Sequence, residues 1–407
     1  MTHIYYRLKI TLESPMSIGS GNEDETDGDI VLNSKNEPYI PGTSLAGIYR
    51  SLFNEQEKKD FFGHIEGENH LQSPIVVYDG KCENHEKGRV SNRDSVKLDE
   101  YKVAEKGAKF DFQVAETGLV FISYIELDKK HTKEMKEAVE DTILPALNSG
   151  KLSLGHKTTR GYGKISMTCL KIEFDLNKKE ELEKWLDFDM FDATKWRRSV
   201  YVNIQGNEFD GEIIKIPLIQ KGPVSIRRYV TEAALKKGDS LPDYEQLTLK
   251  DDRPVIPGTS WAGAFRHRIK SYGISEQQIN DWFGYIDKTQ NQSKKSKIYF
   301  SETILSGGEF KQITRNSIDR FSAGTKEGAL FTEKTYYNGK TTLEIRLNTN
   351  DVLLKKLVYA CIVDLCCGYL AIGGLTAVGH GMFELDEKRK AEFDLKKIKE
   401  ELQCQIG

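Results

Sequence analysis

The chain has 407 residues, 59 Lys+Arg against 62 Asp+Glu, and 38% hydrophobic residues including 18 Tyr and 18 Phe. That length exceeds what one hydrophobic core ordinarily supports, and the apolar content excludes a disordered polymer. No apolar run approaches the roughly 20 residues that span a bilayer, and the net charge of −3 gives no global attraction to nucleic acid.

No membrane partner is therefore expected. Met1–Leu12 alternates polar and apolar residues and lacks the continuous apolar stretch of a secretory leader. The cysteines (82, 169, 361, 366, 367 and 404) are scattered and include no CxxC, which suits a reducing, cytoplasmic setting better than a disulfide framework.

In chain order, Tyr5–Leu12 alternates like an opening strand. A polar loop, Gly19–Asp29, follows and carries Asp27. Pro41–Gly42 is a turn whose following Thr-Ser can cap a helix over Leu45–Asn54. Glu66–Arg89 reads as polar loop around a short strand, Ile75–Tyr78. Strands at Phe110–Val114 and Leu119–Leu127 lead to a helix at Thr132–Ala146, then a Gly-rich turn into a strand at Lys164–Leu170. The series then starts again. Strand Glu212–Leu218, loop Lys236–Asp243, helix Trp261–Ser271, strand Lys297–Phe300, strand Thr341–Leu347, helix Val352–Cys367 and strand Met382–Leu385 follow in the same order, with a polar loop at Asp287–Ser296.

The second series is a copy of the first. PYIPGTSLAGIYR (38–50) reappears as PVIPGTSWAGAFR (254–266), with nine of thirteen positions identical. DFFG at 60–63 recurs as DWFG at 281–284, RDSV at 93–96 as RNSI at 315–318, and GAKF at 107–110 as GALF at 328–331. Gly155, Gly161 and Gly163 recur as Gly373, Gly379 and Gly381. Five landmarks in one order at nearly constant separation mark an internal duplication. The boundary falls near Asp187–Arg198, giving modules 1–190 and 191–407. Strand, helix, strands, helix, strand is the order of a ferredoxin-like α+β unit, here with inserted loops.

Four features of the repeat carry chemistry. The loop Gly155–Gly163 brings backbone N–H groups close to a ligand and adds Lys157, Arg160 and Lys164, with His156 and Tyr162 able to stack on a base; the blander reading is a tight packing turn. Its copy, 373–381, has lost most of that charge. The Pro-Gly-Thr-Ser helix starts offer free N–H groups to an anion, near Ser44 and Arg50 in one copy and Ser260 and Arg266 in the other; a capped surface helix is the plain alternative. Asp27 and Asp243 each precede the repeated proline by eleven residues, a fixed spacing that suits a carboxylate beside a cation or a 2′-hydroxyl, against the plain alternative of a solvated loop residue. His64, His70, Cys82 and His85 share one insertion, a loose zinc spacing that the second copy does not repeat; solvated loop residues are the commoner reading.

The blocks SPMSIGSG, PYIPGTSLAGIYRSLF, FFG, RDSV…GAKF and GHKTTRGYG resemble the RAMP superfamily of CRISPR-associated proteins, over nearly the whole chain. Two RAMP modules in one chain resemble a fused double backbone subunit of a type III effector complex, subtype III-D. The resemblance implies two tandem ferredoxin-like (RRM-like) modules with thumb hairpins, partnered by CRISPR RNA, target RNA, other RAMP subunits and the large subunit. It implies target-RNA cleavage by loop aspartates with a divalent cation, magnesium or manganese, and places Asp27 and Asp243 at those positions. It puts Arg93 and Arg315 in the thumbs, and turns Ser44, Arg50, His156, Lys157, Arg160, Ser260 and Arg266 toward guide RNA. Asp243 lies in LPDYEQL, which departs from the family's usual sequence. A non-catalytic RNA-binding scaffold or capping subunit of the same complex is the alternative, and a standalone guide-processing ribonuclease is a third, weaker reading.

Overall fold

The computed structural model describes residues 1–66, 69–84, 90–99, 103–128, 131–150, 152–205, 209, 211–229, 242–287 and 292–403. The chain forms two compact units. The first comprises 1–92, 111–158 and 162–209; the second comprises 210–407 together with 93–110 and 159–161.

In the first unit the opening strand Thr2–Leu12 lies between Ile165–Asp175 and Val120–Leu127, all antiparallel. The sheet continues from Val120–Leu127 to Ile75–Val77 and Gly80–Cys82. With helix Gly42–Arg50 after the first strand and the helical run 133–148 after the third, this is the β-α-β-β-α-β order with sheet positions four, one, three, two. Ile4, Tyr6, Leu8 and Ile10 pack on the helices with Leu45, Tyr49, Val139 and Leu147. The strand's period of two turns Tyr5 to the opposite face, where Trp196 and Phe174 are buried beside it and Trp185 and Phe188 pack against them.

The second unit repeats this topology. Ile298–Phe300, Lys340–Leu347, Glu212–Lys221 and Met382–Leu385 are hydrogen-bonded in that order. Trp261, Phe265, Trp282, Phe300 and Phe383 fill the core beneath helices Gly258–Ser271 and Val352–Cys366. A second sheet joins Arg227–Tyr229, Tyr244–Gln246, Thr325–Tyr337 and Glu309–Ile318.

The hairpins appear as long paired strands, Val90–Leu98 with Ala104–Ala115 and Glu309–Ile318 with Thr325–Tyr337. Apolar side chains stand exposed along both, among them Val96, Leu98, Ile318, Leu330 and Phe321.

Two local expectations are corrected. The repeated helices begin at Gly42 and Gly258, capped by Pro41 and Pro257 with no side-chain cap, so the Thr-Ser pairs sit in the first turn instead of closing it. In the first copy Asp79 does that work from a distant loop, accepting the Gly42 N–H at 2.7 Å. The helix expected over Thr132–Ala146 is broken into Lys133–Glu137, a π-turn at Ala138–Ile143, and Leu144–Asn148, where Pro145 lacks the N–H a regular turn requires.

Candidate nucleic-acid interface

The two repeated aspartates have the same backbone partner. Asp27 Oδ2 accepts the Asp111 N–H at 3.0 Å, and Asp243 Oδ2 accepts the Thr332 N–H at 2.7 Å. Asp111 and Thr332 each follow the Phe of the repeated GAKF or GALF block, so one hairpin strand positions the loop carboxylate in both copies. Both aspartates are exposed.

The copies then differ. Asp111 returns the contact, its Oδ1 accepting the Asp27 N–H at 3.2 Å, so each carboxylate holds the other residue's backbone N–H. From the same loop as Asp27, Glu25 accepts from Gln113 of the hairpin strand at 2.7 Å. In the second copy Thr332 takes the place of Asp111 and presents a hydroxyl, engaged with Thr314 at 2.9 Å, so that position gives Asp243 no carboxylate partner. Residues 230–241, which include most of the expected Lys236–Asp243 loop, lie outside the described residues.

The glycine loops are nearly superposable. Gly155, Lys157, Gly161 and Gly163 have φ of 80°, 53°, 86° and 71°; Gly373, Leu375, Gly379 and Gly381 have 88°, 55°, 89° and 74°. A Cβ at Gly163 or Gly381 would overlap the carbonyl of Leu154 or Ile372, so these positions require glycine for close backbone packing.

What sits behind each loop is exchanged between copies. In the first, Phe112 and Tyr162 form a ring pair, centroids 5.9 Å apart, with Lys157 Nζ 3.1 Å over the Phe112 ring. Burial pushes the Lys157 ammonium down to about 7. In the second, the corresponding places hold Glu333 and His380. Glu333 bonds the Ser225 hydroxyl and faces Arg227 Nε at 3.5 Å and Arg315 Nη1 at 3.9 Å. Arg315 Nη2 meets His380 Nε2 at 3.1 Å, and burial lowers the imidazole's proton affinity, which favours the neutral form. The second loop is thus uncharged in its own residues yet has two arginines beside it.

The remaining expected contacts divide by exposure. Arg50 and His156 are exposed, and Ser44, Ser260 and Lys157 are half-buried. Arg266 is half-buried, with its guanidinium bonded to Glu276 at 2.8 Å and Asn280 at 2.6 Å. Arg93 is only 2% exposed and faces Glu302 at 3.7 Å within the second unit, so in this structure its charge is turned to a carboxylate, not to solvent. Arg160 is likewise turned inward, donating to the carbonyls of Phe283 (2.7 Å) and Ile298 (3.3 Å).

The sequence profile of the RAMP superfamily matches residues 9–166 and 210–384, which is most of the chain in two tandem regions. The chain belongs to the RAMP superfamily. Comparison with curated proteins gives no match. RAMP membership makes this α+β double module an RNA-binding subunit of a CRISPR effector assembly, with RNA and further subunits as partners; the family includes some ribonucleases. Among the described residues, no helix is long and apolar enough to cross a membrane.

The donor set of this RAMP chain bears on a metal. Asp27 and Asp111 offer oxygen only, the chemistry of magnesium or manganese, which take one or two carboxylates and complete their shell with water and phosphate. Among the described residues no group of three or more His, Cys, Asp or Glu could close around an ion. His64 and His70 lie on paired strands 64–66 and 69–71, Cys82 on the main sheet, and His85 outside the described residues. Asp111, Glu333 and His380 escaped the sequence reading because their counterparts, Thr332, Phe112 and Tyr162, are chemically different.

Proposed function

We propose that the chain is a fused double backbone subunit of a type III effector, subtype III-D, which holds CRISPR RNA and cuts complementary target RNA at its first module. The supporting observation is the reciprocal Asp27–Asp111 pair, exposed where the loop meets the hairpin strand. Asp27 is fixed through Oδ2 by a backbone N–H, which leaves Oδ1 to accept the proton of a 2′-hydroxyl as its oxygen attacks the neighbouring phosphorus and the 5′-oxygen departs, taking a proton from water. A divalent cation bound by Asp27 and Asp111 would supply positive charge to the phosphate under attack. At Asp243 the partner position holds Thr332 where the first copy has Asp111, so the second module binds RNA and cuts weakly or not at all.

The test is target-RNA cleavage by the assembled complex, with products mapped in magnesium, in manganese and in EDTA. Asp27→Ala is expected to reduce one cut by about 10²–10⁴-fold, the range of a lost general base, with guide and target still bound. Asp111→Asn is expected to weaken the same cut and raise its metal requirement. Asp243→Ala should change cleavage far less. Survival of every cut in the Asp27→Ala, Asp243→Ala double variant would leave the scaffold or capping role.

A further inference from the structure

Within the second unit, residues 159–161 occupy a socket of defined chemistry. Arg160 donates Nη2 to the Phe283 carbonyl at 2.7 Å, and Nη1 to the Ile298 carbonyl and the Ser296 hydroxyl, both at 3.3 Å. A Cβ on Gly258 would overlap the Arg160 carbonyl, and one on Gly161 would overlap the Glu302 N–H, so the backbones touch at two glycines. Arg93 approaches the Glu302 carboxylate in the same unit. The socket is therefore three acceptors for one guanidinium, a carboxylate for a second, and a glycine floor.

The first module contains the same set. Phe62, Ser73, Ile75, Asp79 and Gly42 stand where Phe283, Ser296, Ile298, Glu302 and Gly258 stand. The correspondence is structural as well. Ser73 Oγ bonds the Ile75 carbonyl at 2.6 Å as Ser296 Oγ bonds that of Ile298 at 2.8 Å, and Gly63 and Gly284 end the preceding helices with φ of 73° and 80°. Among the described residues, no arginine donates to the Phe62 carbonyl, the Ser73 hydroxyl or the Ile75 carbonyl, and Asp79 is exposed with only the Gly42 N–H on its carboxylate.

We infer that this face of the first module binds a protein loop bearing a glycine-flanked arginine, with a second arginine for Asp79, and that the loop belongs to a different chain. A second copy cannot supply it. The counterpart of Arg160 in the second module is Val378, 66% exposed on the equivalent 3-10 turn Thr376–Val378. Valine offers no donor to three acceptors, and each acceptor left dry and unpaired disfavours the contact. A nucleic-acid backbone is disfavoured by the same chemistry, because carbonyls and a carboxylate present lone pairs to a phosphate. The inference goes beyond the RNA-cutting role and holds whichever module cuts.

The chain itself provides the probe. Val378 is exposed, so Val378→Arg leaves the core intact and gives the second module the missing guanidinium. Sedimentation velocity of the full chain over a concentration series is expected to show the wild type monomeric and Val378→Arg self-associating at least about tenfold more tightly, reversed by Asp79→Arg on the same chain. Val378→Met and Val378→Lys, which lack the planar fork, should remain near wild type. Circular dichroism of each variant confirms the fold. A monomeric, folded Val378→Arg chain would overturn the arginine specificity. Wild-type self-association abolished by Asp79→Arg would overturn the assignment to a different chain.

Discussion

Lys157 holds its ammonium over the Phe112 ring from a left-handed backbone, in a loop that the proposed function turns toward RNA. Burial lowers its pKa from the ordinary lysine value to about 7. The sign follows directly: the unfavourable burial of charge is fully present below pH 7 and is relieved as pH rises from 7 toward the ordinary lysine range. For binding the order is reversed, since the protonated form pairs with phosphate and that form is lost as pH climbs through 7. RNA affinity of the complex is therefore expected to weaken between pH 6 and 8.5, by no more than about tenfold per pH unit. Lys157→Arg should flatten the profile, because arginine keeps its charge. Equal slopes in both proteins, by fluorescence anisotropy, would remove Lys157 from the interface. Asp27 could be found at this scale because its spacing repeats. Asp111 could not, because it lies 84 positions away and its copy is threonine.

At the scale of elements, the glycine loops show why sequence alone left two readings open. Their glycines answer to backbone overlap with Leu154 and Ile372, a packing demand that says nothing about a ligand. Gly163→Ala combines a positive φ with that overlap, and is expected to destabilise the first unit by more than ~2 kcal/mol, seen as a lower urea midpoint. Arg160 looked like an RNA contact because an arginine between loop residues has no visible address in sequence. Its hydrogen bonds instead tie the loop to the strand at Ile298 and the helix end at Phe283. Burial lowers its pKa only to about 10, so it stays charged at neutral pH. Arg160→Met keeps the apolar stem and loses the charged donors, at an expected ~2–4 kcal/mol, read as faster amide exchange around Ser296–Phe300. Unchanged exchange there would mean that the bonds contribute nothing net.

Across the whole molecule, the duplication was legible because the demands that preserve it are backbone demands. Proline–glycine helix starts and positive-φ glycines tolerate few substitutes, so they mark both copies while the side chains around them diverged. That divergence separates Asp27 with Asp111 from Asp243 with Thr332, and an aromatic pair from Glu333 with His380. It also bears on how a chain of net charge −3 holds RNA. At 0.1 M salt, charges farther than about 10 Å from a phosphate are largely screened, so the total is a poor guide and each local contact counts separately. Every phosphate contact released on a single strand changes the slope of log Kd against log salt by about 0.7. Arg50→Gln and Lys157→Gln are each expected to lower that slope by about this amount, and additively, since neither bonds the other. Lys179→Glu, an exposed reversal at the start of helix Lys179–Leu186, changes net charge twice as much and should leave the slope unaltered. A slope that follows net charge through all three variants would mean that RNA is held by the diffuse field of the protein, and that Arg50 and the glycine loop of the first module do not contact it.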